Sequence, residues 1–317
     1  MIKYRCLFLL LFSYVQLFSQ QLDSSVHTVL FLGNSITYAG GYITAIETAF
    51  TLAHPNQSIQ FINLGLPSET VSGLSEDGHA GGRFPRPDLH ERLHRILGKV
   101  HADIVFACYG MNDGIYLPFN EQRFAKYREG MRWLHDTLAA TGAKVIIITP
   151  PVFDELRGGH LGYAAVLDTY ADWLLQQSKT TKWSVADIHY PMKKYLDAHR
   201  QQDSAAGVDG FSLAADGIHP GEAGHWLIAK QLLRFLGERS LASYASLASL
   251  TQQYKNGAAI ASLVAAKQSM MKDAWLSATG HTRPEMNTGL PLQEALEKAK
   301  GLQEQITTLL HPVSALK

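Results

Sequence analysis

Two short segments of this 317-residue chain contain the residue types needed for acyl transfer through a serine. Asp216 and His219 stand three residues apart in the segment 216–220 (DGIHP), and Ser35 closes the segment 33–35 (GNS). In such a reaction a histidine takes the proton of the serine hydroxyl, and a carboxylate orients that histidine and stabilises its charged form. A tight turn that carries Asp216 and His219 can therefore supply the base and its partner from one loop.

Each segment also has a simpler structural interpretation when it is taken alone. Serine and asparagine are favoured at helix N-caps, so the segment 33–35 is also typical of an ordinary helix start. The Asp–Gly pair within 216–220 is equally typical of a surface turn. The two segments become informative only together with the other groups that an acyl-transfer site requires.

Groups able to bind a negatively charged oxygen follow two other predicted strands. The segment 63–65 (NLG) ends one strand, where the Gly65 backbone N–H can turn toward a pocket, and the segment 109–113 (YGMND) ends another, where the Asn112 amide can face the same space. Each preorganised donor stabilises an oxyanion by roughly 3 kcal/mol. Gly65 and Asn112 are also common turn residues, and it is the conjunction with Ser35 and the 216–220 segment that favours an active site.

Short apolar segments alternate with segments of helical periodicity, which predicts a parallel sheet covered by helices on both faces. Such a sheet places the carboxyl ends of its strands, and hence these candidate residues, along one edge. We predict a flavodoxin-like α/β/α sandwich with a five-stranded parallel sheet in the order 2-1-3-4-5, plus a C-terminal helical extension. The predicted strands are 28–32, 58–64, 103–109, 144–149 and 183–188, and the predicted helices are 44–53, 89–99, 121–140, 161–179 and 221–236.

Four segments resemble the signature blocks of SGNH hydrolases, also called GDSL-like lipases or acylhydrolases. The nucleophile block is matched by 33–37 (GNSIT), the oxyanion-glycine block by 63–65 (NLG), the oxyanion-asparagine block by 110–113 (GMND) and the acid–base block by 216–220 (DGIHP). The resemblance runs from about residue 28 to residue 236.

This resemblance implies roles for individual residues and no metal or organic cofactor. It implies Ser35 as nucleophile, His219 as base and Asp216 as the residue that orients it. It also implies an oxyanion hole made by the backbone N–H groups of Ser35 and Gly65 and the side chain of Asn112. The chain departs from the family pattern at residue 34, which is Asn in place of the usual Asp, and at residue 68, which is Ser where a second glycine often follows.

The first 20 residues have the pattern of a secretory signal peptide. Two positive charges precede an apolar run over 6–18, which is too short to span about 30 Å of hydrocarbon as a helix. We expect a secreted or periplasmic protein with no stable membrane insertion after cleavage; an uncleaved anchor is the alternative. We predict a hydrolase domain over 21–239 and a helical C-terminal extension over 240–317.

Charge and histidine spacing exclude or disfavour other classes of site. The chain has 28 basic and 28 acidic residues, so its overall charge does not favour binding to nucleic acid. His90 and His94 have the spacing of a shared metal site, but an exposed helix face explains them better, and no metal is predicted. The long segment 65–86 is expected to shape the pocket, with Arg83 and Arg86 as candidate substrate contacts or as anchors of the loop, and the loop 280–284 can reach the same rim.

The sequence thus predicts a serine esterase that hydrolyses carboxylic esters through an acyl-Ser35 intermediate. An O-acetylated carbohydrate is the leading substrate, because secreted members of the resembled family often act on such glycans. The alternatives are a lipid or aryl esterase, a lysophospholipase, an enzyme that transfers the acyl group to a sugar hydroxyl, and a non-catalytic carbohydrate-binding protein on the same fold. No oligomeric state is predicted.

Overall fold

Five parallel strands form one sheet in the order β2-β1-β3-β4-β5, as the sequence predicts. The computed structural model describes residue 22, residues 25–207 and residues 210–311. The predicted signal peptide, residues 1–20, lies outside the described residues. The strands are β1 (Thr28–Gly33), β2 (Gln60–Asn63), β3 (Ile104–Cys108), β4 (Lys144–Ile148) and β5 (Ser184–Ala186).

The central strands β1 and β3 are apolar and buried except for Thr28 at the start of β1, because helices cover both faces of the sheet. The register pairs Gly33 at the end of β1 with Cys108 at the end of β3, and Cys108 with Ile148 at the end of β4. Phe31 and Phe106 stack across the β1–β3 pair with ring centroids 5.0 Å apart. The carboxyl ends of the strands therefore lie level, and the loops that follow them open onto a common edge.

Eleven α-helices occur in the part of the chain that the structure describes. They are α1 (Ser35–Ala39), α2 (Gly41–Ala53), α3 (Leu89–Leu97), α4 (Glu121–Ala139), α5 (Glu155–Gly158), α6 (Tyr163–Thr180), α7 (His189–Ala206), α8 (Glu222–Phe235), α9 (Leu247–Thr251), α10 (Gly257–Thr279) and α11 (Leu292–Leu310). None of these helices is long and apolar enough to cross a membrane.

Helix α7 was not predicted from the sequence, nor were the short helices α1 and α5. The 18 residues of α7 are mainly polar, and only His189, Met192 and Leu196 are buried. A helix with so few apolar positions gives only a weak periodic signal in the sequence. Contacts with the rest of the fold, and not a broad apolar stripe of its own, stabilise such a helix.

The helices after residue 240 pack against the sheet and its helices. Helix α10 contacts α2, α3 and the edge strand β2. The buried amide of Gln268 on α10 donates a hydrogen bond to the Phe61 carbonyl oxygen of β2, 2.9 Å away, and another to the Glu47 carboxylate of α2. The predicted C-terminal helical extension is present, and it covers the β2 edge of the sheet; the boundary at residue 240 remains a prediction.

Candidate active site

Ser35 lies at the turn from β1 into α1, where the chain leaves the sheet. Asn34 is the N-cap of α1, and its side-chain oxygen accepts a hydrogen bond from the Ile36 N–H at 3.2 Å. A Cβ atom at Gly33 would lie 2.2 Å from the Thr37 hydroxyl oxygen and 2.8 Å from the Cys108 carbonyl oxygen, so only glycine fits this tight turn. The neutral Asn34 thus caps α1, at the position where the resembled family usually has Asp. Ser35, the next residue, lies at the edge of the sheet.

Asp216 folds the acid–base turn with one carboxylate oxygen and holds the histidine with the other. Its Oδ1 accepts hydrogen bonds from the backbone N–H groups of Ile218 at 2.9 Å and His219 at 2.8 Å. Its Oδ2 lies 2.6 Å from His219 Nδ1. Gly217 between them has φ of 80°, in the left-handed region that glycine adopts without strain.

The second ring nitrogen of His219 lies 2.8 Å from the Ser35 hydroxyl oxygen, although the two residues are 184 positions apart in the chain. With a proton on Nδ1 shared with Asp216, Nε2 is free to accept the serine proton. Desolvation of Asp216 favours its protonated form, but the backbone N–H groups of His219 and Ile218 and the His219 ring outweigh it and lower the pKa of Asp216 to about 2. The carboxylate is therefore charged at neutral pH, as an orienting partner must be.

The Asn112 amide faces the same cavity in a fixed orientation. Its Oδ1 accepts a hydrogen bond from the Tyr116 hydroxyl at 3.0 Å, and its Nδ2 donates one to the Glu69 carbonyl oxygen at 3.1 Å. The second hydrogen on Nδ2 has no described partner. Because Asn112, Ser35 and His219 all line this cavity, the remaining N–H is available to a substrate oxygen.

The structure does not bring the Gly65 N–H to the cavity, which corrects the expectation that it is an oxyanion donor. This N–H donates a hydrogen bond to the Asn63 side-chain oxygen at 2.9 Å. A Cβ atom at Gly65 would lie 2.3 Å from the Tyr38 backbone nitrogen. Gly65 is thus a packing residue, because it lets the loop after β2 pass directly against α1.

Ser68, three residues after Gly65, does lie at the cavity. It lines the cavity with Ser35 and Asn112, and its backbone N–H forms no hydrogen bond with a described residue. Its φ is 68°, a left-handed conformation that is uncommon for residues other than glycine. The signal in the sequence was the departure at residue 68, since a glycine frequent at this position fits a positive φ.

A buried ion pair holds the segment that carries Ser68. The Glu69 carboxylate, fully buried, receives Arg92 Nε at 2.5 Å, Arg92 Nη2 at 2.8 Å and the Tyr109 hydroxyl at 2.7 Å. Arg92 also donates to the Leu64 carbonyl oxygen at 2.8 Å. Glu69 directly follows Ser68, and its own backbone carbonyl oxygen accepts the hydrogen bond from Asn112 Nδ2. The oxyanion side of the site, meaning Ser68 and Asn112, is therefore supported from the core.

The two arginines predicted to contact substrate have different surroundings. Arg86 lines the cavity, but its Nε and Nη2 lie 2.6 and 2.7 Å from the two carboxylate oxygens of Glu76. Arg83 does not line the cavity; its side chain is 61% exposed and forms an ion pair with Glu285. Arg86 is therefore a paired residue of the cavity wall, and Arg83 ties the loop to the C-terminal extension.

The cavity has a volume of about 790 Å³ and is lined by six segments of the chain. Four of them follow β1, β2 and β3 or precede α8, and a fifth lies between α5 and α6. The sixth, between α10 and α11, contributes Arg283, so the loop 280–284 does reach the rim. His90, on α3, is bound to Asp88 at 2.6 Å and stacks on Trp133 with ring centroids 3.8 Å apart. Among the described residues no three His, Cys, Asp or Glu side chains are grouped so that they could hold a metal ion.

Solved structures with the same fold are distant in sequence. The acetylxylan esterase Axe2 from Geobacillus stearothermophilus is 22% identical with a TM-score of 0.51, over 67% of this chain and 94% of that chain. LAE5, an alpha/beta hydrolase from the metagenome of Lake Arreo, Spain, is 23% identical with a TM-score of 0.51, over 67% and 95%.

A gut microbial diltiazem-metabolizing enzyme is 19% identical with a TM-score of 0.54 over 69% of this chain, and the match spans about half, 48%, of that protein. No curated protein matches the chain in sequence.

The model of the GDSL-like Lipase/Acylhydrolase family matches residues 31–227, which is more than half of the chain and contains Ser35, Asn112, Asp216 and His219. The chain therefore belongs to the GDSL-like Lipase/Acylhydrolase family and is a carboxylic ester hydrolase.

Proposed function

We propose that this esterase hydrolyses acetyl esters of carbohydrates through a covalent acyl-Ser35 intermediate. The observation that carries the proposal is the continuous chain of contacts from Ser35 Oγ to His219 Nε2, 2.8 Å, and from His219 Nδ1 to Asp216 Oδ2, 2.6 Å. This geometry lets one proton move from the hydroxyl to the ring as the oxygen attacks.

In the first half-reaction Ser35 Oγ attacks the ester carbonyl carbon while its proton passes to His219 Nε2. The carbonyl oxygen becomes an oxyanion, for which Asn112 Nδ2 and the backbone N–H groups of Ser35 and Ser68 are the available donors. The tetrahedral intermediate then expels the alcohol, which takes the proton from His219. In the second half-reaction water loses a proton to His219 and attacks the acyl carbon. The second tetrahedral intermediate then releases the acid and expels Ser35 Oγ, which takes the proton back from His219.

The polar side chains of the cavity support a polar alcohol portion of the substrate. Its wall includes Glu76, Asp77, Arg86, His160 and Arg283 beside apolar residues such as Ile115, Leu117 and Ile218, so it offers a sugar both hydrogen-bonding groups and apolar contacts. One structural neighbour is an acetylxylan esterase, which supports the same substrate class. A lipid or aryl esterase and a lysophospholipase are the alternatives within the family.

Hydrolysis of p-nitrophenyl esters of increasing chain length tests this function, with the Ser35→Ala variant as control. We expect rapid release from the acetate, a steep fall with longer acyl chains, and no enzymatic release by Ser35→Ala. Mass spectrometry of the quenched reaction should show one acetyl group on Ser35. A preference for long chains would overturn the carbohydrate assignment, and equal rates for the unmutated protein and Ser35→Ala would favour a non-catalytic carbohydrate-binding protein.

We also propose export of the protein, on the basis of the pattern in residues 1–20 alone. Mass spectrometry of protein recovered from the periplasm or culture medium should identify an N-terminus near residue 21. An intact N-terminus on protein retained in the membrane would favour the uncleaved anchor instead.

A further inference from the structure

Arg283 is a half-buried cation in the cavity wall that has no ion pair with any described residue. It lies in the loop between α10 and α11, and its guanidinium carbon is 5.2 Å from the centroid of the Phe84 ring. Its Nη1 donates to the Pro284 carbonyl oxygen at 2.9 Å and to Met286 Sδ at 3.1 Å, whereas its Nε is buried without a hydrogen-bond partner and its Nη2 donates to no described residue. The fold thus holds a positive charge in the wall of the cavity that Ser35 and His219 also line, and leaves part of its donor set unused.

The arginines around Arg283 differ from it, because each has a carboxylate of its own. Arg86 is bound at both oxygens of Glu76, and Arg83 is bound by Glu285, the acidic residue two positions after Arg283. Of the other carboxylates that line the cavity, Asp77 is exposed and forms no ion pair with a described residue. Burial of the guanidinium lowers the pKa of Arg283, and the neighbouring charge of Arg83 acts in the same direction, against the opposing effect of Glu285.

His79 presents a second unused polar atom on the same wall. Its ring lies edge-on to Phe84, with centroids 5.6 Å apart, so His79 and Arg283 both pack against this ring. Its Nδ1 is 3.2 Å from a carboxylate oxygen of Glu76, and it donates to that oxygen because a carboxylate only accepts. The buried Nε2 has no partner and is left as an acceptor, which suits a sugar hydroxyl.

We propose that Arg283, with His79 beside it, forms a subsite for a carboxylate group of the substrate, so that the preferred esters are those of acidic sugars such as uronic acids. A guanidinium binds a carboxylate through two parallel hydrogen bonds, and only an anion offsets its charge in a partly buried wall. A neutral sugar supplies hydroxyl groups for His79 but no charge for Arg283. The inference rests on the proposed ester hydrolysis and narrows its substrate class.

The test compares acetate release from two matched substrates, an O-acetylated galacturonic acid oligosaccharide and the same compound with its carboxyl groups converted to amides. We expect the unmutated protein to prefer the acidic substrate, and Arg283→Gln to lose about tenfold in kcat/KM on it, mainly through KM, which corresponds to about 1.4 kcal/mol. On the amide substrate and on p-nitrophenyl acetate the loss with Arg283→Gln should be several-fold smaller, and circular dichroism checks that the variant is folded. Arg239→Gln, which removes a charge at an exposed position outside the cavity, is the matched control.

Arg283→Lys keeps the charge without the planar fork and should recover part of the preference. Equal losses on both substrates, or no loss on the acidic one, would overturn the carboxylate subsite. If the proposed ester hydrolysis itself is wrong, the unmutated protein releases no acetate from any ester, and this result is distinct from the two above. In that case calorimetric binding of the acidic oligosaccharide to Ser35→Ala, with and without Arg283→Gln, still tests the subsite: binding that Arg283→Gln weakens supports it, and equal or absent binding overturns it.

Discussion

The acid–base turn and the oxyanion side of this site are built in opposite ways. The turn of Asp216 and His219 is exposed, and residues within three positions of each other supply its internal hydrogen bonds. The oxyanion side depends on Glu69, Arg92 and Tyr109, which are buried and come from three parts of the chain. The comparison indicates that the reactive groups of the turn are separable from stability, whereas the oxyanion donors are coupled to the core.

The largest expected effect is a loss of activity without a loss of stability at the turn. Asp216→Asn should lower kcat by about 10⁴-fold, because a neutral amide neither fixes the histidine tautomer nor stabilises its charged form. The amide oxygen can still accept the Ile218 and His219 N–H groups, so the thermal midpoint should remain close to that of the unmutated protein. Steady-state kinetics and thermal unfolding check both parts, and Asp77→Asn, at another exposed carboxylate of the cavity, is the control. A large fall in the midpoint would contradict the separation.

The next effect is a loss of stability on the opposite side. Arg92→Ala should lower the free energy of unfolding by about 3–5 kcal/mol, because it leaves the buried Glu69 carboxylate without its partner. Urea denaturation measures this change. Glu91→Gln removes an ion pair with Arg95 on the same helix, but that pair is one-third exposed and should contribute less than about 1 kcal/mol. Similar losses for the two variants would show that the buried pair does not support the oxyanion side.

Removal of the Asn112 amide tests the donor itself. Asn112→Ala should lower kcat by about 10²- to 10³-fold with little change in KM, because the amide acts mainly on the charged oxygen of the transition state. Asn120→Ala, which removes the N-cap of α4 away from the cavity, should reduce stability without this kinetic effect. Equal kcat values for Asn112→Ala and the unmutated protein would remove Asn112 from the oxyanion hole.

The smallest expected effect concerns the backbone at Ser68. Ser68→Gly keeps the N–H group and relieves the positive φ, so it should raise the free energy of unfolding by about 1 kcal/mol with unchanged kcat. Lys182→Gly, at a φ of 65° outside the cavity, is the control for strain alone. A fall in kcat with Ser68→Gly would assign a role to the serine side chain rather than to its backbone.

The sequence predicted most of the sheet and the reactive groups, because both depend on local patterns. Buried strands of this kind are continuous apolar segments, and right-handed crossovers place their carboxyl ends on one edge. The order 2-1-3-4-5 is that of the flavodoxin-like fold that the alternation of strands and helices suggested. Ser35, Asp216 and His219 were found because each chemical group stands at a strand end or in a tight turn.

The residues that sequence reasoning missed depend on contacts between distant parts of the chain. The sequence predicts Gly65 as a donor because nothing in the local pattern shows that its N–H is already bound to Asn63. Helix α7 is too polar to be recognised from its periodicity. Arg283 lies 248 positions after Ser35, and only the packing of α10 on the sheet brings its loop to the cavity.

The hydrogen bond from Gln268 to the Phe61 carbonyl has a consequence for any shortened form of the enzyme. Strand β2 is at the margin of the sheet, and an unprotected margin offers free backbone groups to a strand of another molecule. A chain truncated at residue 239 would keep Ser35, Asp216 and His219 but uncover this margin. Such a fragment should self-associate or precipitate, so the last quarter of the protein serves solubility as well as the pocket.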